Sequence, residues 1–164
     1  MKIKVYTDGS CSHKNGTGSG GWAVVFNADV ECKIISGNEE DTTNNRMELR
    51  ALIEAYNYIA EEYCSQDNMI ELFSDSAYVV NSVRNGWLEV WLRNGWKTTK
   101  DEDVKNKDLW LEFLECKKLL DKKNVYVRLI KVKGHSGNEF NELVDRIAKE
   151  QSKKAKQNKK KEDD

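Results

Sequence analysis

Residues 2–10 have the sequence KIKVYTDGS, in which apolar and polar side chains alternate before Asp8 and a Gly-Ser pair. Alternation of this kind, with β-branched and aromatic residues, predicts a β-strand. Burial does not favour an aspartate at the end of a strand unless the carboxylate is paired or binds a metal ion. The alternative is that Asp8 starts a turn, as Asp followed by Gly often does. The choice depends on whether other carboxylates reach the same end of the strand.

The composition indicates one globular domain of ordinary size. The chain has 164 residues, of which 38% are hydrophobic and 34% are charged. No apolar run approaches the roughly 20 residues that a membrane-spanning helix needs. The first strand begins at residue 2, which leaves no room for a signal peptide. Four cysteines lie far apart without a CxxC pair, which argues against a zinc site and for reduced thiols in the cytoplasm.

Charge is distributed unevenly along the chain. The net charge is −1, but residues 151–164 hold six Lys and three acidic residues, which gives +3 there and leaves −4 on the rest. An acidic body does not attract nucleic acid as a whole, so any such contact must come from a local patch. The Lys-rich end has almost no apolar side chains, and we predict a disordered tail with at most weak attraction to nucleic acid.

Four more strands and several helices follow from the same patterns. Runs of β-forming residues predict strands, and apolar residues at helical spacing predict helices. The predicted strands cover residues 22–27, 31–36, 69–74 and 125–132, and the predicted helices cover residues 41–63, 76–84, 104–120 and 138–152. Short links between the first three strands predict antiparallel pairing, whereas the helical crossovers that follow require parallel pairing.

The predicted fold is therefore α/β, with a five-stranded mixed sheet flanked by helices. Three antiparallel strands come first and two parallel strands follow. Functional sites in open sheets of this kind form outside the carboxyl ends of the strands. Asp8 and Asp75 each end a predicted strand. If those two strands are neighbours, their carboxylates lie side by side.

Tryptophans cluster between two of the predicted helices. Trp87, Trp91 and Trp96 lie within ten positions, and the first two are four apart and share a helix face. One interpretation is that these side chains pack a helical hairpin. The other is that they stack on nucleic-acid bases while neighbouring Arg and Lys residues contact phosphates. The sequence leaves both interpretations open.

Six segments resemble, in their order and spacing, type 1 ribonuclease H. They are YTDGSC, TTNNRMEL, SDSAYV, GWKT, VKNKDLW and KGHSGNEFNELVD, which begin at residues 6, 42, 74, 95, 104 and 133. TNNRME is close to diagnostic, and the resemblance runs from about residue 2 to about residue 150. It implies a ribonuclease H-like fold, with a catalytic domain at 1–150 and the Lys-rich tail at 151–164.

The resemblance implies four catalytic, metal-binding carboxylates, which are Asp8, Glu48, Asp75 and Asp145. Carboxylates that meet raise one another's pKa and destabilise the fold unless a cation joins them. Hard oxygen ligands suit Mg²⁺, with Mn²⁺ as a substitute. Two ions about 3.5–4 Å apart would clamp the attacking and leaving oxygens of an in-line displacement. His135 in the GHSG loop is implied to assist proton transfer or product departure, although a single loop histidine is usually just solvated.

Contacts to the RNA strand of a hybrid substrate are also implied. By resemblance, backbone groups of Ser10 and Cys11, together with Asn44, Asn45 and Glu48, contact the 2′-hydroxyls that distinguish RNA from DNA. Small polar groups of fixed geometry suit this task better than charged ones. Without the resemblance, Glu48 would be interpreted as a surface glutamate near a helix N-terminus.

Contacts to the DNA strand are implied at four further positions. That strand would lie against Trp87 or Trp91, and Thr43 and Asn106 would form a pocket for one of its phosphates. The alternatives are local: Thr43 caps the helix that follows it, and Asn106 starts another.

These features predict a metal-dependent endonuclease that cuts the RNA strand of RNA/DNA hybrids and leaves 5′-phosphate and 3′-hydroxyl ends. We expect a cytoplasmic monomer. A resolvase or integrase of the same superfamily is the nearest alternative, and TTNNRME and GHSG argue against it. A catalytically inactive binding module is disfavoured because all four acidic positions are filled. An excised reverse-transcriptase domain is disfavoured by the strand at the N-terminus and by the complete tryptophan hairpin.

Overall fold

The structure, a computed structural model, describes residues 1–12, 18–65, 67–134 and 137–163. The predicted His135 lies outside these ranges, as does the middle of the Gly-rich loop after the first strand. The strands are β1 (Lys2–Ser12), β2 (Gly18–Ala28), β3 (Glu31–Thr42), β4 (Met69–Ser74) and β5 (Val127–Lys131). The helices are α1 (Asn44–Glu62), α2 (Ala77–Arg84), α3 (Trp87–Arg93), α4 (Lys107–Lys122) and α5 (Glu139–Asp163). None of these helices has the length and apolar character to span a membrane.

The strands form one mixed sheet in the order β3-β2-β1-β4-β5. β2 pairs antiparallel with both β1 and β3, and β4 lies parallel to both β1 and β5. The predicted α/β fold, with three antiparallel strands and then two parallel ones, is confirmed. Tyr6 of β1 is paired with Phe73 of β4. Asp8 and Asp75 each follow by two residues, so they emerge at the same edge of the sheet.

Side chains alternate across β1, so each face of the sheet has its own core. Ile3 and Val5 are fully buried in the larger core, to which α1 and α4 contribute. Tyr6 belongs to a smaller core with Val144 and Ala148 of α5. α1 and α5 therefore cover opposite faces of β1, and residues from both helices can reach its carboxyl end.

The last helix is much longer than predicted. α5 continues to Asp163, so the prediction of a disordered tail over 151–164 is wrong for the part that the structure describes. Ser152 and Ala155 are buried, and they follow Ala148 by four and seven positions, which places all three on one helix face. These small side chains give little hydropathy signal among many lysines, and the composition therefore indicated a solvated tail.

A close backbone contact explains why this face of α5 carries small residues. A Cβ atom on Gly21 of β2 would lie 2.4 Å from the amide nitrogen of Ser152, so only glycine fits there. The Ser152 hydroxyl donates a 2.7 Å hydrogen bond to the Ser19 carbonyl oxygen, and Lys159 forms an ion pair with Asp41 of β3. Residues 151–163, which we call the outer half of α5, are thus attached to β2 and β3.

Candidate functional site

Carboxylates from three parts of the chain meet where β4 ends, beside the second half of β1. One ligand oxygen from each of Asp8, Glu48 and Asp75 lies within 4.8 Å of the other two. Asp8 comes from β1, Asp75 directly follows β4, and Glu48 comes from the start of α1. We call these three residues the carboxylate cluster. The structure thus brings together side chains that are far apart in the sequence.

Gly9 allows α1 to approach β1 closely enough for Glu48 to join the cluster. A Cβ atom on Gly9 would lie 2.3 Å from the Glu48 amide nitrogen and 2.4 Å from the Met47 carbonyl carbon. Both distances are far below van der Waals contact, so the two backbones touch here and only glycine fits. Sequence reasoning did not single out Gly9, because a glycine after an aspartate is ordinary in a turn.

Burial and repulsion shift the protonation of the cluster. Burial is the main cause that raises the pKa of Asp8 to about 7; a hydrogen bond with Glu48 opposes it, and the charges of Asp75 and Asp145 add to it. Burial, followed by the charge of Asp8, raises the pKa of Glu48 well above its usual range. Carboxylates in this arrangement either keep a proton near neutral pH or bind a cation.

One oxygen of Glu48 lacks a hydrogen bond. Its Oε2 atom is buried and finds no hydrogen-bond partner in the part of the chain that the structure describes. An unsatisfied buried carboxylate oxygen destabilises the fold, whereas coordination of a cation would satisfy it. The cluster offers only carboxylate oxygens, which are the ligands that Mg²⁺ and Mn²⁺ prefer. The residues present therefore fit a hard divalent cation.

Asp145 approaches the cluster from α5, on the other face of the sheet. It lines a small cavity together with Asp8, Asp75 and Gly134. Its carboxylate forms a 3.0 Å ion pair with Lys149, one turn further along α5. Asp145 also contacts the cluster, because a side-chain hydrogen bond with Asp8, together with its charge, adds to the raised pKa of Asp8. Sequence reasoning missed Lys149, although a lysine four residues after an acid on a helix is a known signal for such a pair.

The residues predicted to contact an RNA strand lie at the same edge of the sheet. Ser10 and Cys11 are partly exposed near the end of β1, and Asn44 and Asn45 are exposed in the first turn of α1. The Cys11 thiol donates a 3.4 Å hydrogen bond to the Thr42 carbonyl oxygen. This contact ties the end of β1 to the residues just before α1, so both predicted pairs share one surface.

Thr43 and Asn106, the predicted phosphate pocket, meet through Arg46. The Thr43 hydroxyl oxygen accepts a 3.2 Å hydrogen bond from the Arg46 amide, so it does cap α1. Asn106 does start α4, in the left-handed conformation with φ of 63°, but its side chain makes no capping bond. Asn106 Oδ1 instead accepts a 3.3 Å hydrogen bond from Arg46 Nη1. Both local roles are thus present, because Thr43 caps α1 and Asn106 starts α4. Neither role uses the side-chain NH2 group of Asn106.

The two predicted stacking residues have different surroundings. Trp87 and Trp91 both lie on α3, with ring centroids 6.5 Å apart. Trp91 packs edge-on against the fully buried Trp110, at 5.9 Å between centroids. Trp87 is 43% exposed. The packing interpretation therefore accounts for much of Trp91, whereas the Trp87 ring is accessible to a ligand.

Comparison with known proteins supports the resemblance. The family model for RNase H matches residues 1–153. Ribonuclease H of Thermoanaerobacter sp. (strain X514) is 47% identical over 152 residues, which cover 93% of this chain and 90% of that protein. Similarity to this relative extends over nearly the whole length of both proteins.

Solved structures share the fold. LC9-RNase H1, a type 1 RNase H with the type 2 active-site motif, has a TM-score of 0.76 at 26% identity, over 94% of this chain and 73% of that one. LC11-RNase H1 in complex with an RNA/DNA hybrid has a TM-score of 0.64 at 21% identity, over 93% of this chain and 98% of that one. Since the family model spans residues 1–153 and the Thermoanaerobacter protein is similar over nearly its full length, the chain belongs to the ribonuclease H family.

Proposed function

We propose that this ribonuclease H-family enzyme hydrolyses the RNA strand of RNA/DNA hybrids with divalent metal ions and leaves 5′-phosphate and 3′-hydroxyl ends. The observation that carries the proposal is the carboxylate cluster, in which the buried Oε2 of Glu48 lacks a partner among the described residues. LC11-RNase H1, which shares the fold, is known in complex with an RNA/DNA hybrid, and this supports the substrate. The enzyme acts as a monomer in the cytoplasm in this proposal.

Four carboxylates would hold the metal. Asp8, Glu48 and Asp75 would bind Mg²⁺, or Mn²⁺ in its place, and Asp145 would add its carboxylate from α5. When bound, two such ions would activate water and neutralise charge on the scissile phosphate in an in-line displacement. The chain itself fixes the ligands. Parallel pairing of β1 and β4 sets Asp8 beside Asp75, and the backbone contact at Gly9 holds Glu48 against both.

The RNA strand would lie along the edge formed by β1 and α1. Backbone groups of Ser10 and Cys11 and the amides of Asn44 and Asn45 would contact 2′-hydroxyls, which DNA lacks. Their position supports this assignment, because Ser10 follows Asp8 by two residues on β1 and Asn44 precedes Glu48 by about one turn of α1. From the GHSG loop alone, we also assign His135 a part in proton transfer or product departure.

The DNA strand would lie along α3 and the start of α4. Thr43 accepts a hydrogen bond at its hydroxyl oxygen, which leaves the hydroxyl proton to donate to a phosphate, and Asn106 would donate from its amide. The exposed ring of Trp87 would stack against this strand, with Trp91 supporting it from the core. Neutral donors and an aromatic ring suit a chain whose body carries no excess of positive charge.

The experiment compares a labelled RNA/DNA hybrid with duplex RNA, duplex DNA and a DNA junction, each with Mg²⁺ and with EDTA. We expect cleavage of the RNA strand of the hybrid alone, abolished by EDTA and restored by added Mg²⁺. Product ends are checked by ligation or by treatment with a phosphatase. Cleavage in EDTA would overturn the metal assignment, and equal cleavage of duplex DNA or the junction would overturn the substrate.

A further inference from the structure

A chain of hydrogen bonds joins α1, α2 and α4 beside the proposed phosphate pocket. Arg46 Nη1 donates to Asn106 Oδ1 at 3.3 Å, and Asn106 Nδ2 donates to the Tyr78 hydroxyl oxygen at 3.0 Å. Trp110 Nε1 donates to the same hydroxyl oxygen at 2.9 Å. The chain thus runs from a partly exposed guanidinium to an indole that is fully buried in the core.

The two ends of this chain fix the direction of every hydrogen bond in it. A guanidinium and an indole N–H can only donate. The Asn106 atom that faces Arg46 must therefore be the oxygen, and the Tyr78 hydroxyl oxygen must accept from Trp110. The Asn106 nitrogen then faces Tyr78, whose oxygen accepts a second bond. Turning the amide over would place a donor against the guanidinium, so one orientation is selected.

Both ends of this series of hydrogen bonds, Arg46 and Trp110, are held in place by contacts within the protein. Arg46 makes a bidentate ion pair with Asp108, at 2.9 and 2.7 Å, and this hydrogen-bonded pairing lowers the pKa of Asp108. Trp110 packs edge-on against the Tyr78 ring, with centroids 5.8 Å apart. Because Asp108 offsets the charge of Arg46, the guanidinium serves Asn106 mainly as a hydrogen-bond donor.

We propose that Tyr78 is a positioning residue for the Asn106 amide, with Arg46 holding the oxygen side of the same amide. This inference rests on the proposed function, in which Asn106 donates to a phosphate of the DNA strand. The amide nitrogen carries two hydrogens. Tyr78 takes one of them, and the other is held in a set direction for an incoming oxygen.

Such positioning acts on substrate binding. A donor that is already oriented binds without the entropy loss of ordering its side chain. Tyr78 contacts neither the carboxylate cluster nor a reacting atom in this assignment. Its loss should therefore raise KM and leave kcat in place, which a general loss of structure would not do.

The test is Tyr78→Phe, which removes the hydroxyl and keeps the ring contact with Trp110. We expect KM for a hybrid to rise about fivefold, as for one lost hydrogen bond, with kcat unchanged. Tyr63→Phe is the matched control, because the Tyr63 hydroxyl is buried without a partner among residues that the structure describes; its KM should stay at the wild-type value. Thermal unfolding checks that both variants are folded at the assay temperature. A wild-type KM for Tyr78→Phe, or a fall in kcat alone, would overturn the inference.

A double-mutant cycle distinguishes positioning from an independent contact. Tyr78→Phe added to Asn106→Ala should cause no further rise in KM, because the amide on which Tyr78 acts is then absent. Effects that multiply in the double variant would refute the positioning role and leave the proposed function intact, since the wild-type enzyme still cleaves the hybrid. Failure of the wild-type enzyme to cleave the hybrid would instead overturn both.

Discussion

The carboxylate cluster and the outer half of α5 both bury polar side chains against the sheet, but they satisfy them differently. Glu48 is 6% exposed, and one of its oxygens has no hydrogen-bond partner within the described ranges. Ser152 is 3% exposed, and its hydroxyl donates to the Ser19 carbonyl oxygen. The cluster brings like charges together, whereas the outer half of α5 joins the opposite charges of Lys159 and Asp41.

The comparison distinguishes buried polar groups that find a hydrogen-bond partner within the protein from buried polar groups that need a bound ligand. A buried polar group with a partner costs little, because the hydrogen bond offsets the lost hydration. Buried like charges without a cation destabilise the folded state. Neutralising the cluster should therefore remove activity and increase metal-free stability. Disrupting the outer half of α5 should lower stability and leave the chemical step unchanged.

The largest effect is expected for Asp8→Asn. We expect kcat for hybrid cleavage to fall at least about 10³-fold, or about 4 kcal/mol, because an amide is a weaker, uncharged metal ligand. In EDTA near pH 8, the free energy of unfolding should rise by about 1–3 kcal/mol, since the substitution removes a charge that burial and the neighbouring carboxylates disfavour. Cleavage assays and urea unfolding measure the two effects. Asp29→Asn, at an exposed acid in the β2–β3 turn, is the control and should change neither. A wild-type rate for Asp8→Asn would exclude Asp8 from the metal site.

A large loss of stability is expected for Ala155→Glu in the outer half of α5. Ala155 is fully buried, so a carboxylate there must be buried unpaired or the helix must unwind, at a cost of about 2–4 kcal/mol. Gln157→Glu introduces the same residue at an exposed position two residues later and is the matched control. Urea unfolding compares the variants, with kcat measured well below the unfolding temperature. Equal, small effects of the two substitutions would show that this segment is not docked in solution.

The same two regions show what the sequence could and could not predict. The cluster could be predicted because Asp75 directly follows β4, because Asp8 was expected to end β1, and because Glu48 lies in the segment TTNNRMEL, which resembles type 1 ribonuclease H. The structure extends β1 to Ser12, so Asp8 lies within that strand. The outer half of α5 was not, because its contacts depend on Ser152 and Ala155, two small residues in a Lys-rich segment. Composition reports how polar a segment is, but not whether a glycine on a neighbouring strand lets its backbone approach.

Contacts between residues far apart in the sequence could not be predicted either. Arg46 and Asp108, which lie beside the proposed phosphate pocket, are 62 positions apart, and no local pattern connects them. Gly9 is adjacent to a predicted site residue, yet its role depends on how closely α1 packs on β1. The predicted strand ends and the resemblance to type 1 ribonuclease H thus indicated the chemistry of the site, whereas its supporting contacts required the tertiary structure.

The pH dependence of metal-free stability should distinguish the two regions further. Burial raises the pKa of Asp8 to about 7, from about 4 in an unfolded chain. Between these values the folded protein keeps a proton that the unfolded chain has released, so this contribution to stability is present below about pH 4 and lost as pH rises through about 7.

In EDTA we therefore expect the free energy of unfolding to fall by about 1–3 kcal/mol from about pH 4 to about pH 8. Added Mg²⁺ should raise the free energy of unfolding more at pH 8 than at pH 4. Urea unfolding across this range measures the profile. Asp8→Asn should flatten it, whereas Ser152→Ala in the outer half of α5, which adds no titratable group, should shift it downward without changing its shape in this range. A profile that Asp8→Asn leaves unchanged would assign the pH dependence to other groups.

The smallest effects are expected when a buried hydroxyl is removed. One variant loses a hydroxyl that has a hydrogen-bond partner, and the other loses a hydroxyl without a partner among the described residues. Ser152→Ala removes the hydrogen bond to the Ser19 carbonyl oxygen and should lower the free energy of unfolding by about 1 kcal/mol. Thr42→Val removes a buried hydroxyl that finds no partner in the described part of the chain, so it should cost nothing or stabilise the fold, because an apolar group replaces an unsatisfied one. Urea unfolding of both variants, with kcat unchanged in Ser152→Ala, measures the contrast. Equal losses in the two variants would mean that hydrogen-bond satisfaction does not distinguish these sites. The unpartnered oxygen of Glu48 would then no longer support a bound cation.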